Sequence, residues 1–308
     1  MTGTKLKAGR KTIELSNARK VLFPGDGITK GDLAGYYRGV ASLMLPLLRD
    51  RPVSMTRFPD GITRQAIVQK NVPAYFPDWI TRAQIHTEDG PLEQVICDKP
   101  ATLMYLAGQG CVELHCFLSR LGQIHEPDQL VFDLDPPDDH RFDDVRVSAL
   151  RLGELLSDEL RLPAFVKTTG GNGLHVHVPL SQSGDFDSVR QFARQVTELF
   201  AARNPDLVTT EQRKAKRGPR IYVDVMRNGY AQLAIAPYSV RARPGAPVAT
   251  PLSWDEVEDK SLSPEQFTLH TLPGRIRESR PAAGPWAGMA RRRTGLARAR
   301  ASLRRLTG

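Results

Sequence analysis

The sequence predicts an α+β protein whose central part is built from four strands and two helices. Three observations support this prediction. Short alternating apolar runs and longer runs with helical spacing follow one another between residues 130 and 225. Glycine, proline and asparagine separate these runs, as is typical of turns. The chain has 308 residues, of which 40% are hydrophobic, so it is long enough to bury a substantial core.

The N-terminal part predicts a smaller α/β subdomain ahead of this core. Residues 1–12 are polar and basic, and we expect them to form a flexible N-terminus. Thr29 is the predicted cap of a helix that Pro46 should end. Residues 51–100 indicate only short strands and loops, whereas the alternating segment 112–117 predicts a strand.

The central segment has the predicted order β-α-β-β-α-β. This is the order of the ferredoxin-like, or RRM-like (RNA-recognition-motif-like), unit, in which the first strand lies between the third and the fourth and both helices cover one face of the sheet. The predicted elements are, in order, a strand at 130–135, a helix at about 143–160 capped by Asp143 or Asp144, a strand at 165–169, a turn at 170–173, a strand at 174–178, a helix capped by Asp185 or Asp187 and ending at Asn204, and a strand at 221–225.

Acidic and imidazole side chains fall on one face of this predicted sheet. Because successive side chains in a strand point to opposite faces, Phe132 and Leu134 should face the helices, and Asp133 and Asp135 should face away. The double proline after Asp135 ends the strand and leaves both acids at its rim. The same parity adds the following side chains to the uncovered face: His175, His177, Tyr222 and Asp224.

Three co-facial aspartates predict a site for two divalent cations. Carboxylates are hard oxygen ligands of the kind that Mg²⁺ and Mn²⁺ prefer. His175 follows a glycine-rich turn whose backbone N–H groups are suited to phosphate oxygens, and we expect His177 to have a structural role. Two other interpretations stay open. The acids alone would also fit a surface turn, and an H-x-H pair also occurs in zinc sites, although further histidines usually accompany it there.

The charge of the chain predicts an anionic partner. The formal net charge is +9, which favours nucleic acid. Basic residues crowd the segment 213–220, and seven arginines lie between Arg291 and Arg305. Leu296, Leu303 and Leu306 have a spacing that allows a short helix there. We nevertheless expect 287–308 to be an arginine-rich C-terminal tail, either solvated or acting as a nucleic-acid-binding arm. The absence of C-x-x-C spacing, a signal-like N-terminus and a long apolar stretch favours a cytoplasmic protein that does not engage a membrane.

Several sequence blocks, in consistent order between Ile13 and Trp286, resemble the polymerase domain of bacterial ligase D and its stand-alone relatives. This family belongs to the archaeo-eukaryotic primase superfamily and acts in non-homologous end joining. The resemblance implies a primase-polymerase fold over residues 13–286, with a catalytic core at about 110–245. The blocks are Leu22-Phe23-Pro24 with Thr29-Lys30-Gly31, Glu113-Leu114-His115, Phe132-Asp133-Leu134-Asp135-Pro136, Lys167 through His175, Val223-Asp224 with Arg227-Asn228, and Ala236 through Gly245.

The resemblance also implies a template-directed nucleotidyl transferase that fills gaps and extends broken DNA ends with NTP or dNTP. Residues matching Asp133, Asp135 and Asp224 hold two Mn²⁺ or Mg²⁺ ions in the family. Thr169 stands where the family commonly has Ser, and Asn172 where it commonly has Lys. The implied nucleotide contacts are His115, Thr169, Asn172, His175, Arg227 and Arg241, and the implied contacts with a DNA 5′-phosphate are Lys20 and Lys30.

The remaining predictions concern the template and the partners. Tyr75 and Phe76 are suited to stacking on a template base, or else are core aromatics. The resemblance implies Ku and a DNA ligase as partners, and the bacterial nucleoid as the location. Two alternatives stay open, a primase that starts chains without a primer and a non-catalytic module that binds DNA ends. The three acids argue against the second alternative.

Overall fold

The computed structural model describes residues 3–9, 11–88, 90–137, 141–181, 184–278 and 284–308. The strands in this part of the chain are numbered in chain order. They are β1 Thr4–Ala8, β2 Lys11–Leu15, β3 Val21–Phe23, β4 Ile28–Thr29, β5 Pro52–Arg57, β6 Ile67–Gln69, β7 Arg82–Thr87, β8 Gly90–Ile96, β9 Cys111–Phe117, β10 Ser119–Arg120, β11 Gln123–Pro127, β12 Gln129–Asp135, β13 Phe165–Thr168, β14 Leu174–Pro179, β15 Val208–Thr209, β16 Ile221–Asp224, β17 Leu233–Ile235 and β18 Pro251–Leu252.

The α-helices are numbered in the same way. They are α1 Lys30–Leu48, α2 Pro100–Gly108, α3 Phe142–Glu154, α4 Phe186–Arg203, α5 Trp254–Glu258, α6 Leu272–Glu278 and α7 Ala297–Thr307. A single π-helical turn at Leu155–Glu159 continues α3, and a 3₁₀ turn at Met226–Asn228 follows β16. Among the described residues, none of these helices combines the length and the apolar character needed to span a bilayer.

The chain divides into two compact units. The first comprises Met1–Phe117, Leu233–Ala249 and Glu265–Ala282. The second comprises Leu118–Gln232, Thr250–Pro264 and Ala283–Gly308. Both units combine helices with sheets, so the α+β fold class predicted from the sequence is observed.

Helix α1 of the first unit begins where the sequence predicts. Thr29 is its N-cap, and its hydroxyl accepts a hydrogen bond from the Asp32 N–H while the Asp32 carboxylate accepts one from the Thr29 N–H. The buried Tyr37 side chain donates to the Val112 carbonyl of β9 over 2.7 Å. Pro46 does not end the helix, contrary to the prediction. It lies in the last turn, where it removes one backbone donor, and α1 continues to Leu48.

The sheet of the first unit has the strand order β17-β9-β5-β8-β7, with β6 paired to β5. The predicted flexible N-terminus differs from the structure over its described residues, because β1 and β2 pair as an antiparallel hairpin. The alternation of lysine with apolar residues, which reads as a polar tail, is the pattern of a half-buried strand. Ile13 and Leu15 are buried, and Leu15 packs against Gly108 of α2. Residues 1, 2 and 10 lie outside the described residues.

The sheet of the second unit has the strand order β15-β16-β12-β14-β13-β18. This order places the first strand of the predicted central unit, β12, between the third, β14, and the fourth, β16, and both pairs are antiparallel. As the strand parity predicts, one face is apolar and fully buried. Its residues are Phe132, Leu134, Leu174, Val176, Val178, Ile221 and Val223.

Helices α3 and α4 pack against strands of this sheet. Asp185 caps α4 as predicted, accepting from the Ser188 N–H. The predicted caps of α3 are wrong, because Arg141 is its N-cap and neither Asp143 nor Asp144 makes a capping hydrogen bond. The two carboxylates lie instead in the first turn, where the positive end of the helix dipole still favours them.

The C-terminal segment is folded rather than a tail. Trp286 is buried, donates from its indole N–H to the Val166 carbonyl and packs against Phe165. Helix α7 then packs on α4 through buried Ala299 and Leu303. The arginine-rich composition obscured this element, because its apolar stripe is short.

Candidate metal centre

Four charged or imidazole residues form one row across the sheet of the second unit. Lys167 on β13 pairs in register with His175 on β14, His175 with Asp133 on β12, and Asp133 with Asp224 on β16. Neighbouring strands lie about 4.8 Å apart, so these side chains share one face as close neighbours. The sheet therefore brings together the acids that the sequence predicted on separate strands.

The three aspartates converge closely enough to share cations. One carboxylate oxygen from each of Asp133, Asp135 and Asp224 lies within 4.8 Å of the other two. Asp133 is buried, and the other two are partly exposed at the end of their strands. A set of three carboxylate oxygens open to solvent on one side fits Mg²⁺ or Mn²⁺, which keep positions for water and phosphate oxygens.

The electrostatics of this cluster favour a bound cation. Burial and the neighbouring carboxylates of Asp133 and Asp224 raise the pKa of Asp135 to about 7, although Arg227 and Arg217 oppose the rise. Near neutral pH the cluster therefore carries a carboxyl group that is only partly ionised. A divalent cation among the three carboxylates would remove their mutual repulsion and restore the fully ionised ligand set.

Two neighbours hold the most buried acid. The His175 Nε2 atom lies 3.2 Å from Asp133 Oδ1, and the Arg227 Nε atom lies 3.6 Å from Asp133 Oδ2. The Arg227 side chain is 45% exposed, so its guanidinium can also reach an anion outside the cluster. The Met226 N–H donates to Asp224 Oδ1 over 2.7 Å, which fixes the orientation of that carboxylate.

Asn228 is a positioning residue that the sequence analysis quoted without a role. Its fully buried amide accepts from the Val131 N–H and donates to the Val131 and Val225 carbonyls, at 2.7–2.9 Å. The side chain thus supplies hydrogen-bond partners to the backbone of β12 at Val131, where β16 no longer pairs with it. It also holds the 3₁₀ turn that carries Arg227. The sequence could have indicated this role, because Asn228 is a polar residue that follows an apolar strand, and a buried amide needs hydrogen-bond partners.

The glycine-rich turn is organised around the Thr169 hydroxyl. This oxygen accepts from the Gly171 and Gly173 N–H groups and donates to the Gly173 carbonyl, at 3.1–3.3 Å. These two N–H groups are therefore engaged within the turn, and the contact of the turn with phosphate stays a prediction. Asn172 is partly exposed on the same turn. A Cβ on Gly173 would lie 2.5 Å from the Leu134 carbonyl oxygen and 3.6 Å from Asp135 Oδ1, so the turn lies directly beside the acids.

His177 occupies the same face but has other partners. Its Nδ1 atom lies 3.0 Å from Gln129 Oε1, and its ring centroid lies 4.9 Å from that of Trp286. Among the described residues, the three aspartates are the one group of metal-ligand side chains that converges. The zinc interpretation of the H-x-H pair therefore gains no further ligand, and the structural role predicted for His177 fits its packing.

Two predicted nucleotide contacts, His115 and Arg241, lie together in the first unit. Both bind Glu113 on β9, which the sequence analysis quoted without a role. Glu113 Oε2 lies 3.2 Å from His115 Nε2, and its Oε1 accepts from Arg241 Nε and from the Ala242 N–H at 3.0 Å. Burial would by itself raise the pKa of Glu113, but the hydrogen bonds and the guanidinium outweigh it and lower this pKa to about 2. Glu113 therefore orients both side chains as an ionised carboxylate.

Replacing Glu113 by glutamine is expected to lower the free energy of unfolding at pH 7 by on the order of 3 kcal/mol. The folded-state pKa of about 2 lies below the ordinary value of 4.5, so the ionised group stabilises the folded chain above about pH 4.5. This contribution is lost as the pH falls through about 2. Denaturant unfolding of wild type and variant should therefore converge as the pH is lowered, with the exposed Glu265→Gln as the control.

Lys30 is the first residue of α1, and the backbone of Lys20 lies beside it. The Lys30 N–H donates to the Lys20 carbonyl, and burial together with the positive charge of Lys20 lowers the pKa of Lys30. The Lys30 ammonium donates to the Ser16 carbonyl, whereas the Lys20 ammonium lies 2.8 Å from Asp60 Oδ1 on the surface. Two neighbouring ammonium groups are suited to a phosphate dianion, which would compete with Asp60 for Lys20.

The two predicted template-stacking residues differ in exposure. Tyr75 is 59% exposed and has the Arg57 guanidinium 6.0 Å from its ring, so it can offer a face to a base. Phe76 is 2% exposed and packs edge-on against Tyr105, with ring centroids 5.1 Å apart. Of the two roles that the sequence left open for Phe76, the structure therefore favours the core aromatic, because so little of the ring is exposed to a base. β6 adds Ile67 and Val68 as exposed apolar residues that the sequence analysis did not single out.

Comparison with known proteins identifies relatives along most of the chain. Multifunctional non-homologous end joining DNA repair protein LigD of Mycobacterium tuberculosis is 32% identical over 265 residues, covering 83% of this chain and 34% of that protein. LigD of Pseudomonas aeruginosa is 33% identical over 306 residues, covering 98% of this chain and 35% of that protein. Bifunctional LigD of Bacillus subtilis is 31% identical over 267 residues, covering 86% and 43%. The chain thus spans less than half the length of these relatives.

The structural and family comparisons agree. The fold superposes on the polymerase domain of Mycobacterium tuberculosis ligase D, solved in complex with DNA, with a TM-score of 0.82 and 32% identity over 87% of this chain and 95% of that one. The family model described as "LigD, primase-polymerase domain" matches residues 29–283, which include all three clustered aspartates. The chain therefore belongs to the LigD primase-polymerase domain family.

Proposed function

We propose that this chain is a template-directed nucleotidyl transferase that fills gaps and extends DNA ends in non-homologous end joining. The observation that carries the proposal is the convergence of Asp133, Asp135 and Asp224 on one open face, in a chain of this family. The strand order and the packing of two helices support a ferredoxin-like catalytic core within a primase-polymerase fold. The substrates are NTP or dNTP and a gapped or broken DNA.

The three carboxylates would hold two Mn²⁺ or Mg²⁺ ions. When bound, such ions lower the pKa of an attacking hydroxyl and neutralise the charge of a leaving pyrophosphate. The chain itself contributes orientation and further positive charge. Asp133 is fixed by His175 and Arg227, and Asp224 by the Met226 N–H, so the ligand set is arranged before any cation binds. Phosphoryl transfer depends mainly on such positioning and charge neutralisation.

The proposal assigns nucleotide contacts to six residues. In the second unit, Arg227 and His175 present cationic or donor groups next to the acids, and Thr169 and Asn172 lie on the turn beside them. In the first unit, Glu113 arranges the remaining two contacts, His115 and Arg241. Tyr75 remains the proposed stacking residue for a template base, and Ku and a DNA ligase remain the proposed protein partners.

The test is extension of a gapped duplex by the purified chain with labelled ATP or dATP, in Mn²⁺ or Mg²⁺. We expect template-matched addition that requires the divalent ion. Comparison with a primer-free single strand separates gap filling from primase activity. No addition to any gapped substrate with either ion would contradict the proposal.

We also expect tighter binding to gapped DNA that bears a 5′-phosphate at the gap than to the same DNA with a 5′-hydroxyl. The preference should be about tenfold at low salt, because a phosphate dianion would pair with the ammonium groups of Lys20 and Lys30, and the positive charge of Lys20 already acts on Lys30. Lys20→Ala and Lys30→Ala should each reduce the preference in a fluorescence anisotropy titration, and Lys260→Ala should leave it unchanged. Equal affinity of the wild type for both DNAs would contradict this assignment.

A further inference from the structure

The C-terminal segment 284–308 carries most of the excess positive charge of the chain. It contains seven arginines and no acidic residue, against a formal net charge of +9 for the whole sequence. The match to the family model ends at residue 283, so this segment lies beyond the part of the chain that the family model describes. Its charge therefore needs an explanation of its own.

The structure holds this segment in a fixed place. Trp286 anchors its start. Thr294 exchanges backbone hydrogen bonds with the C-terminal end of β14 and the residues that follow it, donating to the Pro179 carbonyl and accepting from the Ser181 N–H. Leu303 of α7 is buried within the second unit. Arg300 donates to the Ser188 carbonyl and stacks over Phe192 of α4. The arginines are thus presented on a folded surface.

Most of these arginines point to solvent. Arg293 pairs with Asp128, and Arg300 is held by α4. Five others are exposed and have no ion pair within the described part of the chain. One of them, Arg305, donates to the Ser302 hydroxyl. We call the remaining four the arginine surface; they are Arg291, Arg292, Arg298 and Arg304. Unpaired guanidinium groups in one segment repel one another and raise the affinity for anions with regularly spaced charge.

The composition of this surface indicates which anionic partner it fits. A membrane-binding helix inserts an apolar face into lipid, but the apolar face of α7 is buried against α4. A protein interface needs a core of exposed aromatic or aliphatic anchors, and α7 presents mainly arginine outward, with Leu306 only partly exposed. A sugar-phosphate backbone needs only fixed cations, and guanidinium binds phosphate in a bidentate manner.

The arginine surface is separate from the metal centre. Thr294 pairs with Leu180, five residues beyond His175 along the strand direction of β14, which corresponds to about 17 Å at about 3.3 Å per residue. Helix α7 packs on α4, which covers the sheet. We therefore treat the arginine surface as distinct from the site proposed for nucleotide addition.

We infer that the arginine surface is a second, sequence-independent binding site for the phosphate backbone of nucleic acid. It would hold DNA away from the reacting end and so raise the affinity of the chain without taking part in the chemistry. This inference does not rest on the catalytic proposal, because it concerns binding in the absence of nucleotide and divalent ion.

The test is fluorescence anisotropy of a labelled blunt duplex with the full chain, without nucleotide or divalent ion, between about 50 and 200 mM NaCl. Each lost phosphate contact should reduce the salt slope of log Kd by about 0.9. The triple variant R292Q/R298Q/R304Q should therefore bind at least about tenfold more weakly at 100 mM salt, with a slope lower by two to three. Glutamine is a good helix former, so α7 should be retained.

Two further variants make the result specific. R38Q/K260Q/R277Q removes the same charge at scattered exposed positions and should change the slope by less than one. R292K/R298K/R304K keeps the charge and should retain most of the wild-type slope, which also guards against loss of binding through misfolding. The inference is overturned if the glutamine variant of the arginine surface binds the duplex with the wild-type slope and affinity. It is equally overturned if only binding to polyglutamate or to anionic vesicles distinguishes that variant.

Discussion

Replacing Asp133 or Asp224 by alanine is expected to lower nucleotide addition to a gapped duplex by at least about a thousandfold. Each substitution removes one of three carboxylates that lie within 4.8 Å of one another, and so would remove one of the three proposed ligands for divalent ions. The affinity for DNA should survive, because it depends on positive charge elsewhere in the chain. The measurement is single-turnover incorporation of labelled nucleotide in Mn²⁺ and in Mg²⁺, paired with anisotropy of the same DNA.

The matched control is Asp206→Ala, which removes an exposed aspartate outside the cluster. It should retain wild-type incorporation and thermal stability. Because Asp133 is buried and pairs with His175, its variant needs a check by circular dichroism and thermal unfolding. Asp224 is less buried, so Asp224→Ala tests the same site with less risk to folding. Clear incorporation by a folded Asp224→Ala variant would contradict the assignment of the metal ligands.

The core of the second unit could be predicted because local pattern and tertiary packing agree there. Each strand alternates between apolar and functional side chains, so one face could be assigned to the helices and the other to chemistry. Asp133 and Asp224 come from β12 and β16, about 90 residues apart in sequence, yet strand parity and the predicted strand order were enough to place them together. The strand register that aligns them with His175 could be determined only from the structure.

The segments that the sequence wrongly favoured as terminal tails are those whose apolar pattern is short and lies among charged residues. Helix α7 has two or three apolar residues among arginines, and only its contact with α4 shows that it is folded. The hairpin of β1 and β2 has lysines on its exposed face and depends on Leu15 packing against α2. In both cases burial against a distant element overrides composition, and no local rule contains that information.

The hydrogen-bond partners of the site side chains also could not be predicted from the sequence. The motif containing Glu113 pointed to His115, but the carboxylate that orients His115 and Arg241 gains its role from a residue 128 positions away. The Thr169 hydroxyl was expected to bind nucleotide, and its hydrogen bonds show that it also organises the glycine-rich turn. For Tyr75 and Phe76 the sequence left both stacking on a template base and packing in the core open, and only the structure shows that Tyr75 is exposed while Phe76 is buried.

Replacing Gly173 by alanine is expected to lower the free energy of unfolding by about 3 kcal/mol and to impair nucleotide addition. The added Cβ would lie 2.5 Å from the backbone carbonyl oxygen of Leu134, a contact that forces either the turn or β12 to move. Because β12 is an inner strand that carries Asp133 and Asp135, the turn is the part that should yield. That movement would disturb the hydrogen bonds of the Thr169 hydroxyl with Gly171 and Gly173 of this turn.

The control is Gly122→Ala, whose Cβ would meet no atom within 4 Å. It should leave the stability unchanged or raise it slightly, because alanine restricts the unfolded chain at no steric cost. Thermal unfolding of both variants and of wild type gives the difference in stability. Gap-filling rates measured at saturating and at low nucleotide concentration separate a loss of nucleotide binding from a loss of chemistry. We expect the Gly173 variant to lose more activity at low nucleotide, since the turn carries the proposed nucleotide contacts Thr169 and Asn172. Wild-type stability together with wild-type activity would show that the turn does not close against β12 beside the acids.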